Sequence, residues 1–242
     1  MGHIETLKSW LAESRHTVFL GGAGVSTASG IPDFRSAHGL YAQKKQGLSY
    51  EEMLSHTYFV QHTAEFYDFL RRVMLYPEAR PNPAHYALAK LEQAGQLEAV
   101  ITQNIDGLHQ LAGSRNVLEL HGNENRYFCQ RCGKMYDMAY VMGEPGAPLC
   151  PCGGVLKPDV VLYGEPLDQQ LLGRAVDYAA KAQLMIVAGT SLVVYPVAGL
   201  VGYLAPGAKL VLINRDPTPY DNRADLLIRD DLTQVLALAA EV

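Results

Sequence analysis

The sequence predicts an α/β protein with a doubly wound parallel sheet of the Rossmann type and a small inserted module. Short apolar runs alternate with stretches of helical periodicity along most of the chain. Several of these runs end in glycine, asparagine, aspartate or serine, as parallel strands buried on both faces do where they meet their loops. The alternation stops between Asn123 and Lys157, and all four cysteines lie in that stretch.

Seven runs are predicted as strands because each is short, rich in apolar residues and followed by a turn signal. In chain order they are TVFLGGAG, EAVITQNID, NVLELHG, PDVVLYGE, LMIVAGTS, KLVLINRD and DLLIRDD. Helices are predicted over residues 3–14 and 58–75, and from Pro83 onward in NPAHYALAKLEQAG. Asn82 is the expected N-cap of this last helix and Gly95 its stop signal.

Length and composition favour one main domain with an insert. The chain has 242 residues, 48% of them hydrophobic, which is enough to bury one sizeable core. We expect residues 1–122 and 158–242 to form the Rossmann-like domain and residues 123–157 to form the inserted module. The formal net charge is −5 and the sequence has no long basic run, so direct nucleic-acid binding is not expected.

One uncharged segment, residues 182–208, is long enough to cross a bilayer. It contains several glycines and prolines, and its first part is typical of a buried strand from Leu184 to Ala188. We therefore predict a strand, a loop and a helix here, and no membrane association. The N-terminus lacks the apolar core of a signal peptide, so a cytoplasmic protein is expected. Because only short tails flank the predicted core, we expect mostly a monomer.

The cysteines have the spacing of a structural metal site. Cys129 and Cys132 form a C-x2-C pair, and Cys150 and Cys152 form a C-x-C pair after 17 intervening residues. Four thiolates in two close pairs are typical of tetrahedral zinc with no open position for catalysis. A C-x-C pair needs a tight loop, which Gly153 and the next glycine would permit. Three-cysteine zinc with another ligand, and a disulfide, stay open as alternatives.

A glycine-rich stretch, LGGAGVSTASGIPDFRS, ends the first predicted strand. Gly22 and Gly24, followed by the start of a helix, would point backbone N–H groups and a helix dipole at a pyrophosphate. Thr27 replaces the third glycine of G-x-G-x-x-G, and no strand ending in an acidic residue follows about 20 residues later. The dehydrogenase fingerprint is therefore incomplete, and if the stretch stood alone, a turn that packs a helix on the sheet would be the better interpretation.

Further motifs occur where later strands are predicted to end: TQNIDGLH, LHGN, GTSLVVYP and INRD. In an open α/β sheet these ends converge on the ligand crevice. Together with GAGVSTASGIPDFRS, and in this order over nearly the whole chain, they resemble the sirtuins, the NAD-dependent protein-lysine deacylases. The resemblance implies NAD as co-substrate, a structural zinc ion, and an acyl-lysine protein or peptide as partner. The acyl group would pass to ADP-ribose as nicotinamide is released.

The resemblance also implies a role for each motif residue. Phe34 would cover the reacting sugar carbon, Arg35 would assist the diphosphate, and Asp106 would accept from the nicotinamide carboxamide. The implied NAD-binding residues are Gly22, Ala23, Gly24, Phe34, Arg35, Gln103, Asn104, Ile105, Asp106, Gly189, Thr190, Ser191 and Asn214. His121 and Asn104 match the catalytic positions, and a histidine with an ordinary pKa near 6.5 suits proton removal from a ribose hydroxyl near neutrality.

The run KPDVVLYGE resembles the substrate strand of the family. The resemblance implies that an extended peptide adds as a β-strand between this run and SLVVYP, with main-chain hydrogen bonds giving most of the affinity. The implied substrate residues are Val161, Tyr163, Gly164, Glu165 and Val193. Family members that prefer succinyl-lysine or malonyl-lysine carry a Tyr-x-x-Arg pair. Here Tyr67 is followed by Leu70 in place of the arginine, so acetyl-lysine is expected to be preferred.

Two other functions stay open on the sequence alone. A mono-ADP-ribosyltransferase would let a protein or water nucleophile capture the sugar carbon. A non-catalytic sensor would bind NAD or ADP-ribose without turnover, because a fold and a glycine-rich loop do not establish chemistry. The presence of His121 and Asn104 together disfavours the sensor, and the substrate run disfavours a pure transferase.

Overall fold

The computed structural model describes residues 2–34, 39–40, 44–45 and 47–241. Within these ranges the strands are β1 (Thr17–Gly21), β2 (Lys44–Lys45), β3 (Leu48–Ser49), β4 (Ala99–Thr102), β5 (Val117–Glu119), β6 (Gly122–Cys129), β7 (Met135–Asp137), β8 (Leu156–Val160), β9 (Leu184–Ala188), β10 (Lys209–Ile213) and β11 (Leu226–Ile228). The α-helices of the same ranges are α1 (Gly2–Glu13), α2 (Tyr50–Met53), α3 (His56–Gln61), α4 (Thr63–Phe69), α5 (Pro83–Gln93), α6 (Leu108–Leu111), α7 (Met138–Gly143), α8 (Gln169–Lys181) and α9 (Leu232–Ala240).

In the described part of the chain, six strands form one parallel sheet in the order β11-β10-β9-β1-β4-β5. The predicted doubly wound parallel sheet is therefore confirmed. The central strand β1 pairs with β4 on one side, through Val18 and Ala99, and with β9 on the other, through Val18 and Met185. The strand order reverses between β1 and β9, which makes this pair the switch point where open α/β sheets bind ligands.

Helices cover both faces of this sheet, so its central strands are buried on both sides. Apolar residues of α1, α5 and α9 pack on one face, Leu7, Leu88 and Leu236 among them. Helix α8 and the 3₁₀ segment Val197–Tyr203 pack on the other face. Alternate residues of each strand supply the two cores, which explains the continuous apolar runs in the sequence.

A smaller lobe is built on the antiparallel sheet β7-β6-β8 and has its own hydrophobic core. That core also contains side chains of α2, α3 and α4, such as Phe66 and Tyr67 beside Tyr127 and Leu156. The segment between residues 40 and 75 thus shares a core with the cysteine-containing segment. The domain boundaries at residues 123 and 157 stay a prediction, to which the structure adds this shared core.

Two predicted elements of the smaller lobe differ from the structure. The run PDVVLYGE does not join the parallel sheet, because its first residues belong to β8, which pairs antiparallel with β6. The helix predicted over residues 58–75 is interrupted at His62, whose φ of −134° is not helical, and ends in a π-helical turn, Leu70–Met74. Apolar periodicity continues across both irregularities, so it does not reveal them.

Other predicted elements are confirmed. Asn82 caps α5 by accepting from the Ala84 N–H at 2.9 Å, and α1 covers the first predicted helix. Strand β9 has the bounds expected within residues 182–208, and a 3₁₀ segment follows in place of an α-helix. Across the described ranges, every helix is too short or too polar to span a bilayer.

Candidate functional site

A cavity of about 1180 Å³ lies over the carboxyl ends of β1, β4, β9 and β10 and faces the smaller lobe. Small-ligand pockets commonly have volumes of about 300–1,000 Å³, so this cavity has room for a large ligand. The predicted residues that line it are Gly22, Ala23, Gly24, Phe34, Gln103, Asn104, Ile105, Asp106, His121, Val161, Tyr163, Gly164, Glu165, Gly189, Thr190, Ser191 and Asn214.

One predicted residue does not join that lining. Val193 is 49% exposed and outside the cavity, whereas the next residue, Val194, lines it. Arg35 lies outside the described residues. Its predicted role at the diphosphate therefore stays a prediction.

The glycine-rich loop after β1 lies against the loop after β9, backbone to backbone. The Gly24 N–H donates to the Gly189 carbonyl at 2.8 Å, and a Cβ at Gly24 would lie 2.7 Å from the Gly189 Cα. Gly189 has a φ of +61°, and a Cβ there would approach the Val25 nitrogen to 2.5 Å. Glycine is thus required at both positions for the loops to meet. The surface left toward the cavity has no bulky side chains, which fits a pyrophosphate.

The expected helix start is absent from the described residues after this loop. The chain instead makes two 3₁₀ turns, Ala23–Val25 and Thr27–Ser29, and then Gly30 adopts a φ of +86°. Pro32 follows two residues later and lacks the N–H that a continuing helix needs. The dipole of a long helix therefore does not point at the loop.

A buried hydrogen-bonded cluster joins the first two strand ends. Ser26 is 1% exposed, its hydroxyl donates to Asp106 Oδ2 at 2.6 Å, and it accepts from Asn104 Nδ2 at 3.0 Å. Asp106 Oδ1 accepts from the Leu108 N–H at 2.9 Å and so begins α6. Burial raises the pKa of Asp106, while the hydrogen bonds from Ser26, Leu108 and Asn104 oppose that rise. The side chains of Asn104 and Asp106, both predicted site residues, are therefore held in fixed orientations.

A second set of hydrogen bonds connects the loops after β4, β9 and β10. Gln103 Nε2 donates to the Thr190 hydroxyl at 2.8 Å. The Thr190 N–H donates to Asn214 Oδ1 at 3.1 Å, and Asn214 Nδ2 donates back to the Thr190 carbonyl. These residues come from three separate motifs. Their contact fixes the relative positions of the loops along the whole crevice.

The predicted catalytic histidine has a defined tautomer. His121 Nδ1 lies 3.0 Å from the Gln103 carbonyl oxygen. Because a carbonyl only accepts, Nδ1 carries the proton, and in the neutral ring Nε2 carries the lone pair of a base. The His121 carbonyl in turn accepts from the Val161 N–H at 2.9 Å. His121 therefore links the predicted cofactor loops to the predicted substrate segment.

The substrate segment differs from the extended strand that was expected. Strand β8 ends at Val160, and the chain then leaves the sheet through the turn 161–165, in which the Glu165 N–H donates to the Leu162 carbonyl at 2.9 Å. Gly164 has a φ of +90°, which permits this turn. The Tyr163 N–H donates to the Leu54 carbonyl at 3.0 Å, and the Tyr163 carbonyl accepts from the His56 N–H at 2.9 Å. The turn thus depends on residues distant in the sequence.

The side chain of Glu165 fixes the turn further. One carboxylate oxygen accepts from Lys157 Nζ at 3.0 Å and from the Leu162 N–H at 3.0 Å, and the other lies 2.8 Å from His56 Nδ1. Burial raises the pKa of Glu165, but the bonds from Leu162, His56 and Lys157 together hold it below its ordinary value. Glu165 is therefore an ionised anchor of the turn.

The four cysteines form one cluster, with all Sγ atoms within 4.8 Å of one another. The Sγ atoms of Cys129 and Cys152 are 3.5 Å apart and those of Cys132 and Cys150 3.6 Å apart, much longer than a disulfide bond of about 2.05 Å. Tetrahedral zinc with Zn–S bonds of about 2.3 Å places its ligands about 3.8 Å apart, so the cluster fits zinc.

The tight C-x-C loop depends on the two glycines that follow it. The Gly153 N–H donates to the Cys150 carbonyl at 2.7 Å, and Gly153 has a φ of +81°. A Cβ at Gly154 would lie 2.5 Å from Cys129 Sγ. These two glycines let the second pair approach the first, and all four cysteines are positioned to bind one ion.

Sequence reasoning missed several lining residues of the cavity, among them two buried polar ones, Ser26 and Glu124. Ser26 lies two residues after Gly24, and its location in a glycine-rich loop was the available signal. Glu124 is the third residue after His121 and is 5% exposed. The sequence does not show that Ser26 and Glu124 are buried, because serine and glutamate are usually exposed.

Comparison with known proteins gives one consistent result. Residues 22–196 match the model of the Sir2 family. The chain is 55% identical over 237 residues to an NAD-dependent protein deacetylase of Clostridium acetobutylicum, covering 96% of each chain. It is 45% identical over 234 residues to an NAD-dependent protein deacetylase of Staphylococcus aureus, again covering 96% of each.

Solved structures show the same similarity. One of Sir2 with a p53 peptide and NAD+ matches with a TM-score of 0.87 and 42% identity, over 98% of this chain and 97% of that one. One of Sir2 bound to an acetylated peptide matches with a TM-score of 0.85 and 41% identity, over the same shares. The matches extend over both lobes and over the loops that form the cavity. The chain therefore belongs to the Sir2 family.

Proposed function

We propose that this protein is an NAD-dependent protein-lysine deacetylase that transfers the acyl group to ADP-ribose and releases nicotinamide. The observation that carries the proposal is the position of His121, whose proton is held on Nδ1 and which lines the same cavity as the Asn104–Ser26–Asp106 cluster. This arrangement brings a base, a ribose-binding amide and a carboxamide acceptor to one cavity. The names of the full-length relatives, NAD-dependent protein deacetylases, support the same activity.

When bound, NAD supplies an electrophilic sugar carbon and a nicotinamide leaving group. Gln103 and Asn104 orient the ribose next to that leaving group, and Asp106 accepts from the carboxamide N–H. His121 Nε2 removes a proton from a ribose hydroxyl, and its Nδ1–H stays bonded to the Gln103 carbonyl at 3.0 Å while the ring gains charge. Phe34, which lines the cavity, excludes water from the reacting carbon.

The acyl-lysine peptide binds across the turn 161–165 in this proposal. Val161 and Tyr163 line the cavity at the point where the acyl chain enters. The backbone of Gly164 and Glu165 offers main-chain groups to an added strand on one side, and Val193 contacts the peptide on the other. The titles of Sir2 structures with acetylated or propionylated peptides support this class of partner.

The acetyl preference rests on the surroundings of Tyr67, where the described residues offer no partner for an acyl carboxylate. The Tyr67 hydroxyl donates to the Leu156 carbonyl at 2.6 Å, and Arg71 donates to the carbonyls of Val141 and Gly146 at 3.0 and 2.7 Å. Leu70 is buried in the core of the smaller lobe. Values of kcat/KM on acetyl and succinyl versions of one peptide test this preference, and equal or faster desuccinylation would contradict it.

One assay separates deacetylation from its two alternatives. Incubation with NAD and an acetyl-lysine peptide should release nicotinamide only when the acetyl group is present. Release that does not depend on the acetyl group would favour a mono-ADP-ribosyltransferase, and no release would favour a sensor. The cytoplasmic location, the monomeric state and the lack of a nucleic-acid partner stay predictions from the sequence.

A further inference from the structure

Glu124 is a buried acid in the cavity to which the proposed function gives no role. It lines the cavity and is 5% exposed, and its N–H donates to the Ile105 carbonyl at 2.8 Å. Among the described residues, no hydrogen-bond partner is found for its carboxyl group. Burial of a polar group without a hydrogen bond is costly, so such a group facing a cavity indicates a ligand partner.

The backbone of β6 is irregular near Glu124, whose side chain lines the cavity. The β6–β8 register is regular at Asn123, opposite Asp159, and resumes at Tyr127, opposite Pro158, with an irregularity between them. Glu124 lies at the start of that irregularity. Bulges of this kind re-aim a side chain and are frequent beside active sites. Pro158 has no N–H to contribute to the sheet, which suits the interruption.

Three ionisable side chains interact electrostatically with Glu124. They are Asp106 from the loop after β4, Tyr76 after the π-helical turn, and Tyr127 from β6 itself. Burial raises the pKa of Glu124 well above its ordinary value, and the Asp106 charge raises it further. Asp106 has three hydrogen bonds that favour its charged form, whereas Glu124 has none. The pair is thus divided into an acceptor and a protonated donor.

An acceptor and a donor side by side are what a primary carboxamide needs, because it has N–H donors for Asp106 and a carbonyl acceptor for Glu124. Resting on the proposed function, in which Asp106 accepts from the nicotinamide N–H, we propose that Glu124 is a second specificity-determining residue for the carboxamide. Its carboxyl O–H donates to the carboxamide carbonyl oxygen. A nicotinic acid ring has a carboxylate there, which offers Asp106 no N–H and is repelled by its charge.

Calorimetric titration tests this role without turnover. NAD, ADP-ribose and nicotinic acid adenine dinucleotide are each titrated into the wild-type protein, Glu124→Val and Glu124→Gln. We expect the wild type to prefer NAD over the nicotinic acid analogue. Glu124→Val should weaken NAD roughly tenfold, as for one lost buried hydrogen bond, with ADP-ribose affinity unchanged because it lacks the ring. Glu124→Gln retains an N–H donor and should stay close to wild type.

The pH dependence of NAD binding gives a second readout. Wild-type affinity for NAD should fall as rising pH ionises Glu124, and Glu124→Gln should lose this dependence, because its amide does not titrate. Thermal unfolding of each variant checks that it is folded. If the wild type binds NAD and Glu124→Val binds it equally well, only this inference is overturned. If the wild type binds neither NAD nor ADP-ribose, the proposed function falls with it.

Discussion

The two walls of the cavity are built on different principles. The cofactor wall consists of the loops at the carboxyl ends of β1, β4, β9 and β10, which belong to one parallel sheet. Some of these loops are in direct contact, for example through the hydrogen bond from Gly24 to Gly189. The peptide wall is the turn 161–165, anchored to Leu54 and His56 from another part of the chain. Strand pairing positions the cofactor wall. Contacts between residues distant in the sequence, together with the inserted module that contains the cysteines, position the peptide wall. Damage to one wall should therefore leave the other largely intact.

Removal of the metal should have the largest effect and should fall on the peptide wall. The protein is expected to copurify with about one zinc ion per chain, and Cys132→Ala should lose it, because four thiolates are needed for a closed tetrahedral site. The smaller lobe should then lose its fold, so thermal stability and deacetylation should drop together. ADP-ribose affinity, measured by calorimetry, should be retained in large part because the cofactor wall belongs to the other lobe.

The exposed residue Glu144 of the same module provides a matched control, and Glu144→Ala should keep metal, stability and activity. A metal-free Cys132→Ala protein with wild-type stability would contradict the structural role of zinc. A parallel loss of ADP-ribose binding would contradict the independence of the two walls.

His121 lies where the walls meet, and its replacement should separate binding from chemistry. His121→Asn removes the base but keeps an amide that can donate to the Gln103 carbonyl. Product formation should fall by about 10²–10⁴-fold, as for a lost general base, with NAD affinity little changed. Nicotinamide exchange should survive in part in this variant. Asn104→Ala should impair exchange as well as product formation. The exposed His3 serves as control, and wild-type deacetylation by His121→Asn would remove this histidine from the mechanism.

Ser26→Ala should weaken the cofactor wall alone. The Ser26 hydroxyl holds Asp106 at 2.6 Å and Asn104 at 3.0 Å, and a hydrogen bond to a charged group contributes about 1.5–3 kcal/mol. NAD affinity should therefore drop roughly 10–100-fold, while the KM for the acetyl peptide should change little. Ser9→Ala, on the exposed surface of α1, is the matched control. Equal losses toward NAD and peptide would mean that Ser26 supports the fold and not one wall.

These differences between the walls also explain what the sequence could predict. The parallel strands were predictable because burial on both faces requires continuous apolar runs, and the loops that end them contain recognisable motifs. The cysteine cluster was predictable because metal ligands need close pairs. The antiparallel pairing of β8, the break at His62 and the burial of Ser26 and Glu124 depend on distant residues. Neither periodicity nor composition contains that information.

Acidification should lower the free energy of unfolding, because two buried histidines are uncharged in the folded protein. His85 and His109 are buried with their rings 4.8 Å apart, and burial lowers the pKa of His85 to about 4 and that of His109 to about 3. The unfolded chain binds these protons near pH 6.5 and the folded one does not, so the free energy of unfolding falls as pH drops from about 6.5 toward 4. The slope is about 1.4 kcal/mol per pH unit for each proton.

Denaturant unfolding at several pH values checks this slope, and His109→Leu, which fills a similar space without titrating, should flatten it. An unchanged slope in the variant would show that this pair does not control acid stability. Leu111→Ala, at an exposed residue of α6 without an ionisable group, provides the comparison and should leave the slope as it is.

The smallest expected effect concerns the peptide wall alone. His56 Nδ1 lies 2.8 Å from the Glu165 carboxylate, but His56 is half exposed, and exposed ion pairs contribute about 0.2–1 kcal/mol. His56→Ala should therefore raise the KM for the acetyl peptide by up to about fivefold and leave NAD affinity unchanged. His62→Ala, at an exposed histidine between α3 and α4, should change neither value. A weaker NAD affinity in His56→Ala would show that the turn 161–165 also supports the cofactor wall, and the separation of the two walls would then fail at this point.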